Sequence, residues 1–276
     1  MRRRLWREFV RNRLAFVGAL YLAVILAVAA LAPAVAPYAP NKQDLISRLD
    51  PPSAEHWLGT DEAGRDELSR LVYGARVSLS IAVMGTVGGV VLGTALGLGA
   101  GFFGGELDNL TMRVVDVMYA FPGILLAILI VAVIGPSLFN LVIALTVFST
   151  PTLARIVRAS VLSLKPREFI EAARAIGATR PRIVFRHLVP NTLAPIIVHA
   201  TLSVAGALLT AAALGFLGVG VQPPTAEWGA MLSAGQEYMR NASYLVTFPG
   251  LLIFVTVLSV NLVGDALRDA LDPYLR

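Results

Sequence analysis

The chain contains 276 residues, of which 56% are hydrophobic and only 15% are charged, and its mean hydropathy is +0.71. A soluble domain usually carries about 25% charged residues, so this composition indicates a protein embedded in lipid. The absence of cysteine excludes disulfides and thiolate chemistry. A net charge of +5 can indicate nucleic-acid binding, but the arginines cluster beside apolar runs, and we expect no nucleic-acid partner.

Five stretches lack Asp, Glu, Lys and Arg and are long enough to cross a bilayer, which takes about 20 apolar residues. They cover residues 14–41, 77–105, 117–154, 187–226 and 241–264. The third is interrupted by Gly135-Pro136-Ser137, which favours two helices joined by a tight turn. The sequence therefore predicts an all-α polytopic membrane protein with six transmembrane helices. Their expected positions are residues 14–36, 77–101, 117–134, 138–157, 194–219 and 243–264.

The first apolar stretch shares features with a cleaved signal peptide. It follows an arginine-rich start, and Ala34-Val35-Ala36 has the small residues of a cleavage site. However, the apolar run exceeds the roughly 7–15 residues of a signal peptide, and Pro37 would follow the cut. A retained membrane anchor is therefore favoured.

The distribution of basic residues predicts the orientation, because cytoplasmic loops carry an excess of Lys and Arg. With the N-terminus inside, the inner segments hold 17 basic residues and the outer segments hold 6. Residues 1–13 and 155–186 supply most of the inner excess. We therefore expect both termini to face the cytoplasm.

The first external loop ends in a segment with helical periodicity. Its apolar residues recur at i, i+3, i+4 and i+7, at Leu68, Leu71, Val72 and Ala75. Asp66 and Arg70 have the spacing of an i,i+4 ion pair on another face. The pattern predicts a short amphipathic helix at the outer membrane interface, or an ordinary surface helix, leading into the second span.

The second span carries glycines at every fourth position. They are Gly85, Gly89, Gly93, Gly97, Gly101 and Gly105. Glycine lets two helix backbones approach closely inside lipid, so the first five predict a helix-packing face. Static packing within the subunit is the simpler interpretation, and a sliding contact near a transport pathway is the alternative.

Two similar strings place a proline near an aliphatic run. Pro122 and Pro249 each lie between Phe and Gly. Proline is tolerated in membrane helices because neighbouring groups satisfy the freed carbonyl. We expect these prolines to start or bend helices, and a gating kink is the alternative.

No catalytic constellation stands out. The glycine-rich run 97–105 lacks the lysine of a phosphate-binding loop, so the chain has no such route to ATP hydrolysis. The three histidines do not have metal-binding spacing, and His199 alone lies in the middle of a predicted span. A proton-driven transporter usually buries acidic relays, which disfavours that class.

The inner loop, residues 155–193, contains a short helix between two breaks. Pro166 suits the start of this helix, and Gly177 suits its C-terminal cap. Glu168 and Glu171 lie in the first turns and Arg174 lies later, which complements the helix dipole. The element has the form of a docking peg for a partner, with Phe169, Ile170, Ala173 and Ile176 as its apolar residues. A linker helix that packs on its own subunit is the alternative.

This loop resembles the EAA loop of ABC-importer permeases. Glu171-Ala172-Ala173 is followed after three residues by Gly177, and after nine more by His187-Leu188-Val189-Pro190. In that family the loop carries the coupling helix that docks on the ATPase subunit. The resemblance therefore implies a coupling role for five residues, namely Glu171, Ala172, Ala173, Arg174 and Gly177.

Further strings resemble the C-type permease subunit of the dipeptide, oligopeptide and nickel branch, over nearly the whole chain. They include 56–61 (HWLGTD), 113–116 (RVVD), 216–224 (FLGVGVQPP) and 264–273 (GDALRDALDP). One departure is visible at 211–215, where Ala-Ala-Ala-Leu-Gly replaces the frequent Glu-Ala-x-Leu-Ser. Any role of an acid or hydroxyl at those positions is therefore in doubt.

The resemblance implies the type I ABC importer permease fold. Residues 1–76 would form an anchor helix with an external loop and an interfacial helix, and 77–276 the five-helix core. The expected partners are a second homologous permease, two ABC ATPase subunits that bind the ATP, an extracytoplasmic solute-binding protein and the lipid bilayer. The chain would then have no cofactor and no enzyme activity of its own, and it would lie in a bacterial inner membrane.

The resemblance implies transport of di- or oligopeptides. Import of nickel or a glutathione-type solute is the alternative within the family. A secondary transporter or channel that works alone, and a structural assembly factor, are the alternatives from other classes.

Overall fold

The computed structural model describes residues 12–271, and within them all regular structure is helical apart from one isolated β-bridge between Thr60 and Asp66. The predicted all-α fold is therefore confirmed. Most of the basic N-terminal segment and the end of the C-terminal string, from Asp272, lie outside the described residues. The α-helices are α1 (Arg13–Ala30), α2 (Ala32–Val35), α3 (Glu67–Phe103), α4 (Gly105–Ala120), α5 (Gly123–Ile134), α6 (Leu138–Leu164), α7 (Glu168–Ala175), α8 (Arg180–Ile183), α9 (Val189–Phe216), α10 (Trp228–Gln236) and α11 (Tyr244–Leu271).

Five helical segments are long and apolar enough to cross a membrane, and the bent pair α4–α5 makes up to six. The third predicted span, residues 117–134, is bent at Pro122, which agrees with the expectation that this proline starts or bends a helix. α4 and α5 meet at an angle of 93°, and the break lies at Phe121-Pro122. Pro122 has no N–H to donate and disfavours a helical conformation at Phe121, so it ends α4 and starts α5.

α3 contains two predicted elements, the amphipathic helix of the first loop and the second span, in one continuous helix. It runs for 37 residues, about 55 Å, which exceeds the roughly 30 Å hydrocarbon core. The predicted amphipathic helix is its first part, and it leads into the second span, as predicted, without a break between the two. Leu71 and Ala75 are buried because Trp228 of α10 covers them and donates from Nε1 to the Leu71 carbonyl at 3.1 Å.

The predicted ion pair between Asp66 and Arg70 is also wrong. Asp66 instead caps α3 by accepting from the Ser69 N–H at 2.8 Å, and its other oxygen lies 2.9 Å from His56 Nδ1. Arg70 Nε pairs with Asp61 at 3.2 Å. An N-terminal carboxylate has unsatisfied helix N–H groups close by, so capping outcompetes the i,i+4 pair.

α6, α9 and α11 each extend beyond one end of the predicted span. α6 continues to Leu164, and α11, with Pro249 inside it, continues to Leu271. α8 leads through a π-turn at Val184–Leu188 into α9, so this helical segment starts at Arg180 rather than near 194. An uncharged run marks only the part of a helix that lies in lipid, and charged turns can continue the same helix.

Candidate functional site: a glycine seam and the α7 surface

The glycines of α3 form a close contact with α6, which we call the glycine seam. A Cβ on Gly85 would lie 2.6 Å from the Leu145 side chain, and one on Gly97 would lie 2.5 Å from the Ala154 carbonyl oxygen. Real Cβ atoms essentially never approach another atom that closely. The five predicted packing glycines all lie in this seam: Gly85, Gly89, Gly93, Gly97 and Gly101.

The α6 residues that face the seam also recur every fourth position. They are Leu145, Ser149, Leu153, Val157 and Val161, in the order of the glycines they meet. Residue numbers rise together on both helices, so α3 and α6 run parallel. A chain that enters two parallel spans in succession must cross back between them. The bent pair α4–α5 provides that return, which supports six crossings.

Gly105, the sixth glycine of the series, does not take part in the seam. Its φ is +60° and nothing lies within 4 Å of the position of a Cβ. It follows Gly104, whose φ is +70°, and together they form the break between α3 and α4. The four-residue spacing therefore continues one step beyond the packing face.

α7 is attached to its own subunit along one face. Ile170 is 0% exposed and Ala173 is 4% exposed. Both belong to the apolar cluster that contains Val157 and Val161 of the seam. The suggestion that Ile170 and Ala173 enter a partner's groove is therefore wrong, because their own subunit already buries them. α7 is therefore anchored in the same apolar cluster as Val157 and Val161 of α6.

The C-terminus of α7 is a Schellman motif. The Ala178 N–H donates to the Ala173 carbonyl at 3.0 Å, and the Gly177 N–H donates to the Arg174 carbonyl at 2.9 Å. Gly177 has φ +80°, as this motif requires. Nothing lies within 4 Å of a Cβ at Gly177, so glycine is needed there for conformation rather than for space.

The opposite face of α7 is exposed, and we call it the α7 surface. Phe169 is 41% exposed and Ile176 is 85% exposed, although both are large and apolar. The other exposed residues of this surface are Glu171, Ala172 and Arg174. Of the five residues that the resemblance assigned to coupling, Ala173 is the one whose side chain is buried in the subunit.

A cavity of about 390 Å³ adjoins the α7 surface. Its lining includes Phe169, Gly177, Arg182, Arg186 and His187. The last two lie on the π-turn, and the ring centroids of Phe169 and His187 are 6.4 Å apart. Among the described residues, no carboxylate lies within 4 Å of the guanidinium of Arg182 or Arg186. The cavity thus offers cationic groups beside an apolar surface.

Sequence reasoning missed Glu227, a carboxylate that is 1% exposed. It caps α10 by accepting from the N–H groups of Gly229 and Ala230 at 3.0 and 2.9 Å, and it accepts from the Ser78 hydroxyl at 2.8 Å. Burial raises the pKa of Glu227, although these hydrogen bonds lower it. A Cβ on Gly215 would overlap its Oε2, so glycine at 215 makes room for this carboxylate.

The signal for Glu227 in the sequence was weak. The acid precedes Trp228-Gly229, which is compatible with an N-cap. No local pattern, however, predicts that Ser78, 149 residues away, donates a hydrogen bond to it. Across residues 12–271, no group of three or more His, Asp or Glu side chains is placed to hold a metal ion. The features that the geometry does provide are a closely packed helix pair and a short helix that is buried on one side and exposed on the other.

A solved structure shares this architecture. The MetNI methionine ABC transporter, in an inward-facing conformation, aligns with a TM-score of 0.60 and 25% identity, covering 74% of this chain and 97% of that chain. The fold is that of a permease of the ABC importer class. Residues 89–276 match the family model of the binding-protein-dependent transport system inner membrane component, and residues 1–52 match that of the N-terminal TM domain of oligopeptide transport permease C.

Curated relatives match almost the whole chain. A dipeptide transport system permease protein of Alkalihalophilus pseudofirmus is 48% identical, over 98% of this chain and 90% of the relative. A glutathione transport system permease protein of Pectobacterium atrosepticum is 44% identical, over 99% and 91%. The chain belongs to the dipeptide, oligopeptide and nickel branch of the binding-protein-dependent permeases, as a C-type subunit. It is therefore a multi-pass membrane component of an ABC importer.

Proposed function

We propose that this permease forms half of a pathway for di- or oligopeptides and that ATP drives it through the α7 surface. The observation that carries the proposal is the attachment of α7: one face packs into the cluster around Val161, and the other stays exposed. A helix held in this way can receive a push from a partner and pass it to α6.

The glycine seam would pass the movement of α6 on to α3. Val157 and Val161 belong to the cluster beneath α7 and also face Gly97 and Gly101 of α3. Because close-packed backbones have little room to slide, α3 and α6 would move as one body. ATP binding by two ATPase subunits would shift α7, and this helix pair would change the side on which the pathway opens.

The proposed partners follow from family membership. A second permease completes the pathway, two separate ATPase subunits bind and hydrolyse ATP, and a solute-binding protein delivers the solute from outside. The permease itself holds no cofactor and hydrolyses nothing. Peptides are the proposed solutes because similar permeases are named for dipeptide and glutathione transport, and glutathione is a small peptide.

We further propose that both termini lie on the cytoplasmic side of a bacterial inner membrane, with the α7 surface. The cysteine-free sequence allows a direct test. Single cysteines at Ser53 and Thr179, both exposed, should react with a membrane-impermeant maleimide from opposite sides. Labelling of both from outside would contradict this orientation.

Reconstitution tests the function itself. The complete complex in proteoliposomes should accumulate peptide when ATP and the loaded binding protein are supplied. The permease alone should neither hydrolyse ATP nor concentrate peptide. Accumulation by the permease alone, driven by a proton gradient, would overturn the proposal in favour of a secondary transporter.

A further inference from the structure

The helices α3, α6 and α9 bring uncharged polar side chains together near the middle of their lengths. Thr86 of α3, Ser149 of α6, and His199 and Ser203 of α9 line one narrow cleft between these helices. The cleft has about 160 Å³ of empty space, which is too little to enclose a peptide. Polar groups at this depth of a membrane protein face the interior of a bundle or a water-filled space, because lipid solvates them poorly.

One of these polar groups is buried without a partner. Thr86 is 3% exposed, and its Oγ1 has no hydrogen-bond partner among the described residues. The Ser149 hydroxyl, in contrast, donates to the carbonyl of its own helix at Leu145, at 2.8 Å. A buried hydroxyl that makes no hydrogen bond costs free energy. The Thr86 hydroxyl is therefore available to a ligand that offers a hydrogen-bonding group at the cleft.

His199 and Ser203 also begin a polar stripe along α9. The stripe continues with Gly206 and Thr210, so its members recur at intervals of four, three and four residues. This spacing places them within about 60° of arc around the helix. Gly206 is exposed, and nothing lies within 4 Å of the position of a Cβ there. The subunit's own helices therefore leave this part of the stripe open.

The large exposed apolar side chains of α9 lie outside the stripe. Ile197 is 43% exposed and Leu209 is 50% exposed, and neither falls within the arc that the polar residues occupy. Apolar side chains suit lipid, whereas hydroxyl and imidazole groups suit water or other polar groups. α9 thus presents two kinds of exposed surface, and lipid fits only the apolar one.

We propose that Thr86 and the polar stripe of α9 line the translocation pathway and form hydrogen bonds with the main-chain groups of passing peptides. The inference rests on the proposed function, because it requires peptides to cross beside α9. Hydroxyl and imidazole groups can both donate and accept, as peptide N–H and C=O groups require. The stripe contains no Asp, Glu, Lys or Arg. Contacts of this kind would let peptides pass with little dependence on the charge of their side chains.

Chemical labelling in proteoliposomes that contain the whole importer tests whether the stripe lines the pathway. Because the chain has no cysteine, Ser203→Cys gives it a single thiol that is close in size to the native hydroxyl. During ATP-driven turnover this thiol should react with a water-soluble cationic methanethiosulfonate, as measured by the mass of the permease. Trialanine delivered by the binding protein should slow the reaction. Ile197→Cys, on the apolar side of α9, should react little with or without peptide.

Uptake of trialanine tests the hydrogen bonds, because all polar groups of this peptide belong to its main chain and termini. His199→Leu removes a donor and an acceptor and should lower the maximal rate of ATP-driven uptake about fivefold, as expected for the loss of one hydrogen bond. His199→Gln can still donate and accept, so it should restore most of the rate. Ile197→Ala, a control outside the stripe, should transport at nearly the native rate.

Uptake by the native importer, measured in the same proteoliposomes, separates the two claims. If it accumulates trialanine but Ser203→Cys stays unlabelled during turnover, another helix or lipid covers the stripe, and this inference fails while the proposed function stands. Equal labelling of Ser203→Cys and Ile197→Cys, native uptake with His199→Leu, or no recovery with His199→Gln would also overturn it. If the native importer accumulates neither trialanine nor any other peptide with all partners present, the proposed function is what fails.

Discussion

The glycine seam and the α7 surface both depend on glycine, but for different physical reasons. At Gly97 the backbone is ordinary helix, and the Ala154 carbonyl leaves no room for a Cβ. At Gly177 there is room for a side chain, but φ is +80°. The first region therefore specifies a close contact and the second a change in chain direction. The proposed function needs both properties, a closely packed helix pair that moves as one body and an exposed helix that a partner can contact.

The largest expected loss of stability follows from a substitution that disrupts the glycine seam. Gly97→Val places three carbons where the Ala154 carbonyl and the Val157 side chain already lie. Overpacking of this kind costs about 3 kcal/mol, and more if the backbones must separate. We expect little folded protein, measured as monodisperse material and melting temperature in detergent.

Gly99→Val is the matched control on the same helix. Nothing lies within 4 Å of a Cβ at Gly99, so the same substitution should leave folding nearly unchanged. Equal losses at both positions would show that helix propensity or insertion, rather than the seam, causes the effect.

The next effect concerns charge on the α7 surface. Glu171→Lys reverses an exposed charge on the face that we assign to the ATPase, and a mispaired charge in an interface costs about 2 kcal/mol or more. The protein should insert and fold normally, but copurification of the ATPase should fall. Glu55→Lys, also a reversal of an exposed charge but in the loop that we propose to lie outside, should keep the ATPase bound. Unchanged ATPase recovery with Glu171→Lys would contradict the assignment.

A smaller loss of transport is expected from substitutions at Gly177, and it tests whether glycine is needed there for its backbone conformation or for its small size. A β-branched residue in the left-handed region costs about 1–2 kcal/mol, whereas Asn adopts this region more readily. Gly177→Val should therefore lower ATP-driven transport more than Gly177→Asn. If the two variants were equally impaired, the size of the side chain would matter there, and the Schellman geometry would not explain the glycine.

The smallest effect concerns Glu227, which lies outside both regions. Burial raises the pKa of Glu227, so its carboxyl group binds a proton more tightly in the folded protein than in the unfolded chain. The stabilisation is complete below the ordinary carboxyl pKa of 4.5 and is lost as the pH rises through the raised value. Melting temperature should therefore fall with increasing pH, and Glu227→Gln should make that fall shallower. An identical pH profile for both proteins would refute this account.

The same contrast explains which features could be predicted from the sequence. Uncharged runs and the four-residue glycine spacing are properties of single helices, so the spans and the packing face could be predicted from the sequence. Gly177 was readable as a cap because capping is local. A bend at Pro122 was expected from the proline itself, but its angle of 93° and the continuity of α3 depend on how neighbouring segments pack and could not be predicted from the span boundaries.

Contacts between residues that are far apart in the sequence could not be predicted from local patterns. Ile170 is buried in an apolar cluster that includes residues of α6, α8 and α9, and no local periodicity distinguishes it from the exposed Ile176. Arg182 lies outside the α7 helix in the sequence, yet it lines the same cavity as Phe169 and Gly177. For Asp66 the i,i+4 spacing predicted Arg70 as the partner, whereas the carboxylate contacts the helix N-terminus and His56, which lies ten residues away in the sequence.

Crosslinking from the α7 surface tests the central claim most directly. In the intact importer, a photoreactive maleimide on Ile176→Cys, a position that is 85% exposed, should form an adduct with the ATPase subunit. The same probe on Ile46→Cys, 96% exposed in the external loop, should not. If the ATPase copurifies but is crosslinked from neither position, or only from position 46, the α7 surface is not where ATP acts on this permease.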